Sequence, residues 1–290
     1  MGLLDGKVAV ITGAGGGLGR AHALLLAGEG AKIVVNDLGG ARDGQGSGSN
    51  MADGVVEEIK ATGGEAVANY DNVATTEGGV GILKTGVDAF GQVDILINNA
   101  GILRDKTLVK LEESDWDAVI AVHLRGTYCV TRPIFQHMKE RGGPGVIVNT
   151  ASTSGLIGNF GQCNYGAAKA GIAGFTRCLH LEGTKYGIRA WGLAPVAFTR
   201  LTEDLMGGDA AEKAKASLDP AKVSQAVLYM VSELSGTKSG KFLFVSGGRV
   251  AELKVVGPAG MRKDGFTAQD IADNEAAVFL PEDQGFDMLG

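Results

Sequence analysis

Proline is scarce, at 6 of 290 residues, which removes the composition that keeps chains extended or disordered. Cysteine is scarcer: Cys129, Cys163 and Cys178 lie 34 and 15 residues apart, giving neither a CxxC pair nor a zinc-ligand spacing. They are read as free thiols of a reducing compartment, and no metal site is expected. Basic side chains do not dominate: 27 Lys and Arg face 33 Asp and Glu, for a net charge of −6 and a pI near 5.3. That balance offers no electrostatic footprint for nucleic acid or for an anionic membrane surface. No run of about 18 apolar residues occurs, and no charged segment followed by an apolar one opens the chain. The expectation is a soluble, cytoplasmic protein with neither nucleic acid nor membrane as a partner.

What the chain has in excess is glycine, 47 residues or about 16%, against a usual share of about 7%. With 44% hydrophobic and 21% charged side chains, it can bury one large core. "KVAVIT" is a short β-branched run that stops at a glycine cluster, and "GRAHALLLAGEG" follows with helical spacing. "AKIVVND", "EAVANYDNV", "QVDILINNAG", "GVIVNTAS", "IRAWGLAP" and "GKFLFVSGG" read as further strands, with amphipathic helices between them. The stretch 112–142 reads as one long helix, with Ser114 as its N-cap and Pro133 as a kink. Strands alternating with helices of about 10 residues or more imply right-handed parallel crossovers. The expected fold is therefore α/β: a doubly wound parallel sheet (Rossmann fold) in three layers, α/β/α.

Two segments interrupt this rhythm. Residues 38–50, "LGGARDGQGSGSN", make a long glycine-rich loop, either simply flexible or functional beside a ligand. Beyond Gly248, "TAQDIADNEAAVFLPEDQ" reads as one more helix, with Thr267 as N-cap and Asp270 at the capping-box position. The domain boundary is placed there: residues 1–248 as the Rossmann-type domain, and 249–290 as a C-terminal helical extension packed on it or on a neighbouring subunit.

"TGAGGGLG" sets Gly13, Gly17 and Gly19 between a strand and a helix. Backbone without Cβ can approach a pyrophosphate closely, and free amides at a helix N-terminus stabilise its charge. The spacing GxxxGxG differs from GxGxxG, so position carries the weight. Asp37 ends the second strand, 18 residues after Gly19, where a carboxylate accepts from ribose hydroxyls and repels a 2′-phosphate. NAD is thereby favoured over NADP, although Arg20 or Arg42 could serve a 2′-phosphate. Asp71, after the third strand, stands either at an adenine edge or in a solvated turn.

Tyr165 and Lys169 are four residues apart on a helix, so the ammonium can lie near the phenol. A free tyrosine titrates near 10, and a neighbouring cation lowers that value, making the pair an acid/base candidate. Ser152 ends the fifth strand, where open parallel sheets bind ligands.

"TGAGGGLG", "NNAG" at 98–101, Ser152 thirteen residues before Tyr165, and "YGAAK" occur in order across the chain. In these motifs it resembles the short-chain dehydrogenase/reductase family. Within that family, "VVNDLGG", "NNAGILRD", "VHLRGT" and "LEG" make it most similar to the (3R)-hydroxyacyl-CoA dehydrogenase part of type 2 peroxisomal multifunctional enzymes, also called 17β-hydroxysteroid dehydrogenase type 4. The resemblance implies that Tyr165 takes the substrate proton, Ser152 bonds the developing carbonyl, and Lys169 holds the nicotinamide ribose and lowers the Tyr165 pKa. It implies that Gly13, Gly17, Leu18, Gly19, Asp37, Asp71, Val73, Asn99, Ala100, Gly101, Tyr165, Lys169, Pro195, Val196 and Phe198 bind the dinucleotide. His123 stands where many members carry a catalytic asparagine, and it is either a relay group or a packed structural histidine. Val196 stands where the family has glycine. Segments 102–108, 155–161 and 196–210 would wall the substrate pocket. The implied reaction is NAD-dependent oxidation of a (3R)-hydroxyacyl-CoA, including bulky or steroid-derived acyl chains. The alternatives are a 17β-hydroxysteroid dehydrogenase on free steroids and a 3-oxoacyl (acyl carrier protein) reductase. The "MLG" end is no peroxisomal address. A homodimer or homotetramer built on the long helices is the expected assembly.

Overall fold

The computed structural model describes residues 2–41, 43–198 and 217–281. The β-branched runs become parallel strands β1 (Val8–Thr12), β2 (Lys32–Asn36), β3 (Ala66–Asn69), β4 (Ile95–Asn98), β5 (Gly145–Thr150), β6 (Ile188–Val196) and β7 (Lys241–Ser246). An eighth strand, β8 (Arg249–Leu253), was not expected from the pattern. Only Gly247 and Gly248 separate it from β7, so the pair is an antiparallel hairpin, a connection too short for a parallel one. The hydrogen-bonded order is β3-β2-β1-β4-β5-β6-β7-β8.

Between them run α1 (Gly17–Gly28), α2 (Asn50–Ala61), α3 (Thr76–Phe90), α4 (Glu113–Ile120), α5 (Gly126–Arg141), α6 (Thr153–Leu156), α7 (Cys163–Gly183) and α8 (Pro220–Val231). The strand period of two sorts side chains onto opposite faces. Val34, Val10, Leu96, Ile147 and Ala190 stand in one register row across five strands and pack with Ile82 of α3, Ile134 of α5 and Leu179 of α7. One residue along, Val35, Ile11 and Ile97 face the other way, against Leu26 of α1, Ile59 of α2 and Val227 of α8. The three-layer α/β/α architecture follows from this alternation. Among the described residues no helix is long and apolar enough to cross a membrane, and no cluster of metal ligands forms.

Buried amides tie the carboxyl ends of the strands to the helices. Asn98 and Asn149 are register partners; Asn98 Nδ2 donates to Asn149 Oδ1 and to Thr131 Oγ1 of α5, both at 2.8 Å. Asn149 Nδ2 donates to Thr176 Oγ1 of α7 at 2.9 Å. With their hydrogen bonds made internally, these side chains fix α5 and α7 against the sheet without leaving unpaired polar atoms. Beside β1 the strand order reverses, so the loops after β1 and β4 part toward opposite faces and open a crevice.

Several local expectations are corrected. The long helix is interrupted by one π turn, Ala121–Arg125, between α4 and α5, and Pro133 sits inside α5. Its N-cap is Glu112; Ser114 lies within the first turn. The C-terminal helix is two short ones, α9 (Ala268–Asp273) and α10 (Glu275–Val278). They break at Asn274, whose side chain donates to the Asp270 carbonyl at 2.7 Å and competes with helix propagation. The Thr267–Asp270 capping box is formed. The chain divides into two compact units, Met1–Glu252 and Leu253–Gly290.

Fully buried His22 of α1 makes a 2.8 Å hydrogen bond between Nδ1 and Ser224 Oγ of α8, and its Nε2 has no partner. Burial pushes its pKa down to about 3. The unfolded chain therefore binds a proton, from about pH 6.5 downward, that the folded chain does not. Stability is full above pH 6.5 and falls by up to about 1.4 kcal/mol per pH unit for this histidine as pH drops toward 3. Denaturant unfolding at pH 7 and pH 5 measures the slope, and His22→Asn is expected to flatten it.

Candidate active site

A cavity of about 430 Å³ opens at the carboxyl ends of β1, β4 and β5. Gly13, Gly17 and Leu18 line it beneath the first helix, and Gly13 and Gly17 are left-handed, with φ of 64° and 50°. A Cβ on Gly13 would lie 2.7 Å from the Ala100 Cα, so the loop turns tightly against the end of β4. Asn99 Nδ2 fastens it by donating to the carbonyls of Thr12 at 3.0 Å and Gly13 at 3.1 Å. Gly16 is the N-cap of α1 and offers no side-chain cap, which leaves first-turn amides for an anion.

Asp37 borders the same cavity at the end of β2. Its Oδ2 accepts from Gly15 N–H at 2.8 Å and its Oδ1 from Gly39 N–H at 2.7 Å, which fixes the carboxylate beside the glycine loop. Asp71, Val73, Asn99, Ala100, Gly101, Pro195 and Val196 line the cavity as well. These residues fit a dinucleotide: a side-chain-free cradle at a helix start, then an anchored carboxylate. Gly19 and Phe198 do not line it. Gly19 is there for packing, since its Cβ would fall 2.2 Å from the Gly13 carbonyl oxygen. Phe198 donates its N–H to the Leu218 carbonyl instead. Arg20 is paired with Glu58 of α2, and Arg42 lies outside the described residues, as does segment 199–210 of the expected pocket wall.

Ser152, Tyr165 and Lys169 meet on the opposite side. Ser152 follows β5 and caps α6. Tyr165 and Lys169 project from α7, with the Lys169 Nζ 5.4 Å from the Tyr165 ring centroid. Lys169 is 3% exposed, and its ammonium donates to the Thr150 carbonyl at 2.5 Å. Burial lowers its pKa to about 7. Tyr165 departs from the expectation that Lys169 lowers its pKa: burial pushes it up to about 12, while hydrogen bonding with Ser152 pulls the other way and the Asp105 carboxylate adds to the rise. The protein alone thus presents a neutral phenol that holds its proton more tightly than a free tyrosine.

His123 lies in the π turn, 3% exposed, its ring edge-on to Tyr165 with centroids 5.2 Å apart. Its Nε2 is 2.8 Å from the Ile102 carbonyl oxygen, and burial pushes its pKa down to about 3. Gly101 makes room for the ring, because a Cβ there would sit 2.4 Å from Cε1. His123 is therefore a neutral, packed imidazole in contact with the site.

The loop 38–50 closes on itself through Gly48 N–H to the Leu38 carbonyl at 2.9 Å and Ala41 N–H to the Gln45 carbonyl at 2.7 Å. Leu38, Gly40, Ala41 and Gly44 of this loop line the cavity. Asn159, in the expected wall segment 155–161, lines it as well; Ser154 and Gln162 also line it, and no sequence signal had singled those two out. Their Ser and amide character is common in loops, and only the fold gathers them.

An α/β sheet with a glycine-rich dinucleotide cradle and a Ser, Tyr and Lys cluster at one cavity defines an oxidoreductase of secondary alcohols and ketones. The sequence profile of the short chain dehydrogenases matches residues 7–206, and the chain belongs to that family. It is 46% identical over 250 residues to the peroxisomal multifunctional enzyme type 2 of Mus musculus, covering 86% of this chain and 33% of that one. Thus it spans about a third of that relative's length. It is 40% identical over 262 residues to the hydroxyacyl-CoA dehydrogenase ChsB1 of Mycobacterium tuberculosis, covering 85% and 79% of the two chains. The crystal structure of a short chain dehydrogenase from Mycobacterium avium superposes with a TM-score of 0.85 at 39% identity, covering 97% and 98%.

Tyr165→Phe removes the phenolic proton carrier and keeps the ring against His123. Turnover is expected to fall roughly 10²- to 10⁴-fold while NADH binding, followed by fluorescence, stays at the wild-type value. Turnover near the wild-type rate would remove Tyr165 from the chemistry.

Proposed function

We propose that the protein oxidises a (3R)-hydroxyacyl-CoA to the 3-oxoacyl-CoA with NAD, within the family activity established above. The observation that carries this reading is the Asp37 carboxylate, anchored by two backbone amides beside the glycine loop, with Ser152, Tyr165 and Lys169 across the same cavity. A fixed carboxylate there accepts from ribose hydroxyls and opposes a 2′-phosphate, which favours NAD. The likeness to a hydroxyacyl-CoA dehydrogenase over most of both chains supports the thioester class.

A bound nicotinamide supplies the acceptor for the hydride that leaves the carbinol carbon. Lys169 has one N–H on Thr150 and two remaining for ribose hydroxyls. Ser152 holds the substrate oxygen, and ionised Tyr165 takes the proton from that oxygen as the carbonyl forms. Burial opposes that ionisation, so oxidation is favoured by rising pH. In the reverse direction the neutral phenol donates.

The same reading includes a cytoplasmic location and self-association through the long helices. Tyr128 of α5 is 49% exposed and Leu181 of α7 74%, apolar surface that a second copy would cover. Sedimentation is expected to show a dimer or tetramer.

Initial rates of NADH formation test the substrate class, with (3R)-hydroxybutyryl-CoA measured beside its (3S) epimer, beside NADP and beside a free 17β-hydroxysteroid. The (3R) thioester with NAD is expected to react fastest. An inert thioester beside a reactive steroid would contradict the substrate class and leave the Tyr165 chemistry standing. Asp37→Ala is expected to narrow the preference for NAD over NADP by roughly 10-fold, the worth of a charge-assisted hydrogen bond. An unchanged ratio would mean that the ribose is recognised elsewhere.

A further inference from the structure

Ser152 is not isolated on the cavity wall. Its Oγ accepts from Ser154 N–H at 3.1 Å and lies 3.3 Å from Ser154 Oγ. Ser154 Oγ is 2.7 Å from Gln162 Oε1, which also accepts from Asn159 Nδ2 at 3.0 Å. Gln162 Nε2 in turn donates to Asp105 Oδ2 at 2.6 Å. A backbone bridge between Lys106 and Gln162 joins the two segments, and Lys106 is held by Asp115 at 2.6 Å.

Donor and acceptor rules give this chain one direction. An ionised carboxylate only accepts, so Gln162 must turn its NH₂ toward Asp105 and its carbonyl oxygen toward Ser154. That oxygen only accepts, so the single Ser154 hydroxyl hydrogen is committed to it. Toward Ser152, Ser154 Oγ is left with lone pairs alone. The Ser152 hydrogen is drawn to Ser154 until another oxygen takes its place.

We propose that Asp105, Gln162 and Ser154 are positioning residues that set the orientation of the Ser152 hydroxyl, holding its hydrogen on Ser154 until a substrate oxygen displaces it. The role rests on the reading of the site given above and extends it to three residues outside the Ser, Tyr and Lys cluster. Gln162 is also the residue on which α7 begins, so the chain ties Ser152 to the start of the helix that carries Tyr165.

The charged and titratable groups around Tyr165 come from separate elements. Lys169 shares its helix, neutral His123 comes from the π turn, and the Asp105 carboxylate comes from the segment after β4 and opposes ionisation of the phenol. Asp105→Asn removes that opposition. It also lets the Gln162 amide turn over, because Asn can donate as well as accept. Ser154 is then free to donate to Ser152, and the Ser152 hydrogen is released toward Tyr165. Both effects move Tyr165 the same way.

The test compares Ser154→Ala, Gln162→Leu, Asp105→Asn and Asp105→Glu with the wild-type protein and with Ser152→Ala. Five quantities are read: kcat, KM and the pH profile of oxidation with (3R)-hydroxybutyryl-CoA and NAD, NADH binding by fluorescence, and the melting temperature. Ser154→Ala and Gln162→Leu are expected to lose roughly 10-fold in kcat with NADH binding and melting temperature kept. Asp105→Asn is expected to shift the rising limb of the pH profile down by roughly half a unit, and Asp105→Glu to leave it in place. Wild-type kcat and pH profile in all four variants, beside an inactive Ser152→Ala, would overturn the chain's role and spare the site. An active Ser152→Ala, or a wild-type protein inert toward the thioester, would overturn the site reading and the inference together.

Discussion

The site depends on one buried cation. Lys169 carries its ammonium to a place where 3% of the residue is exposed, and a single carbonyl, that of Thr150, receives it there. Burying a charge costs several kcal/mol unless partners replace the lost water, and the pKa near 7 records how incompletely they do so. The bond to Thr150 spans from α7 to the last residue of β5, two residues before Ser152. Helix, strand end and the Ser152 segment are thereby held in one frame. The ammonium keeps two donors, so a ligand with hydroxyl oxygens at this point completes its coordination. The folded protein stores an unmet demand that a ribose would satisfy.

The frame is stiff because the sheet beneath it is closed to water on both faces. One register row of Val, Leu, Ile and Ala meets α3, α5 and α7, and the next row meets α1, α2 and α8. Where the strands reach the crevice, apolar rows give way to Asn98 and Asn149, which bond to each other and to threonines on α5 and α7. Such amides are costly if unpaired, so they define one arrangement of helices over the strand ends. The polar chain from Asp105 to Ser152 carries the same logic to the cavity rim.

Much of this was legible in the sequence, and the legible parts are those with a period or a fixed spacing. Strands β1, β2, β4 and β5 are short runs rich in Val and Ile, as strands buried on both faces of a parallel sheet usually are. The i,i+4 spacing put Tyr165 and Lys169 on one face. Strand β8 was hidden because "RVAEL" is short and half polar, as an edge strand can be. The π turn at 121–125, which carries His123 beside Gly101, has no sequence signature. Gly19 looked like a ligand contact, whereas its backbone is pressed on the Gly13 carbonyl. The net rise of the Tyr165 pKa was not foreseen, because proximity to Lys169 is visible in spacing and burial is not. Asp105 comes from the segment after β4, Ser154 from α6 and Gln162 from the start of α7, and only the folded chain shows that they form a line.

The account stands most directly on one transfer: hydrogen from the carbinol carbon to the nicotinamide, within one cavity. The decisive measurement is the fate of deuterium when the protein is given NAD and (3R)-3-hydroxybutyryl-CoA deuterated at C3, with the isolated NADH analysed by mass spectrometry and NMR. The account predicts one deuterium on the nicotinamide C4, on a single face, and none lost to solvent. Unlabelled NADH, or 3-oxoacyl-CoA formed without NADH, would contradict it.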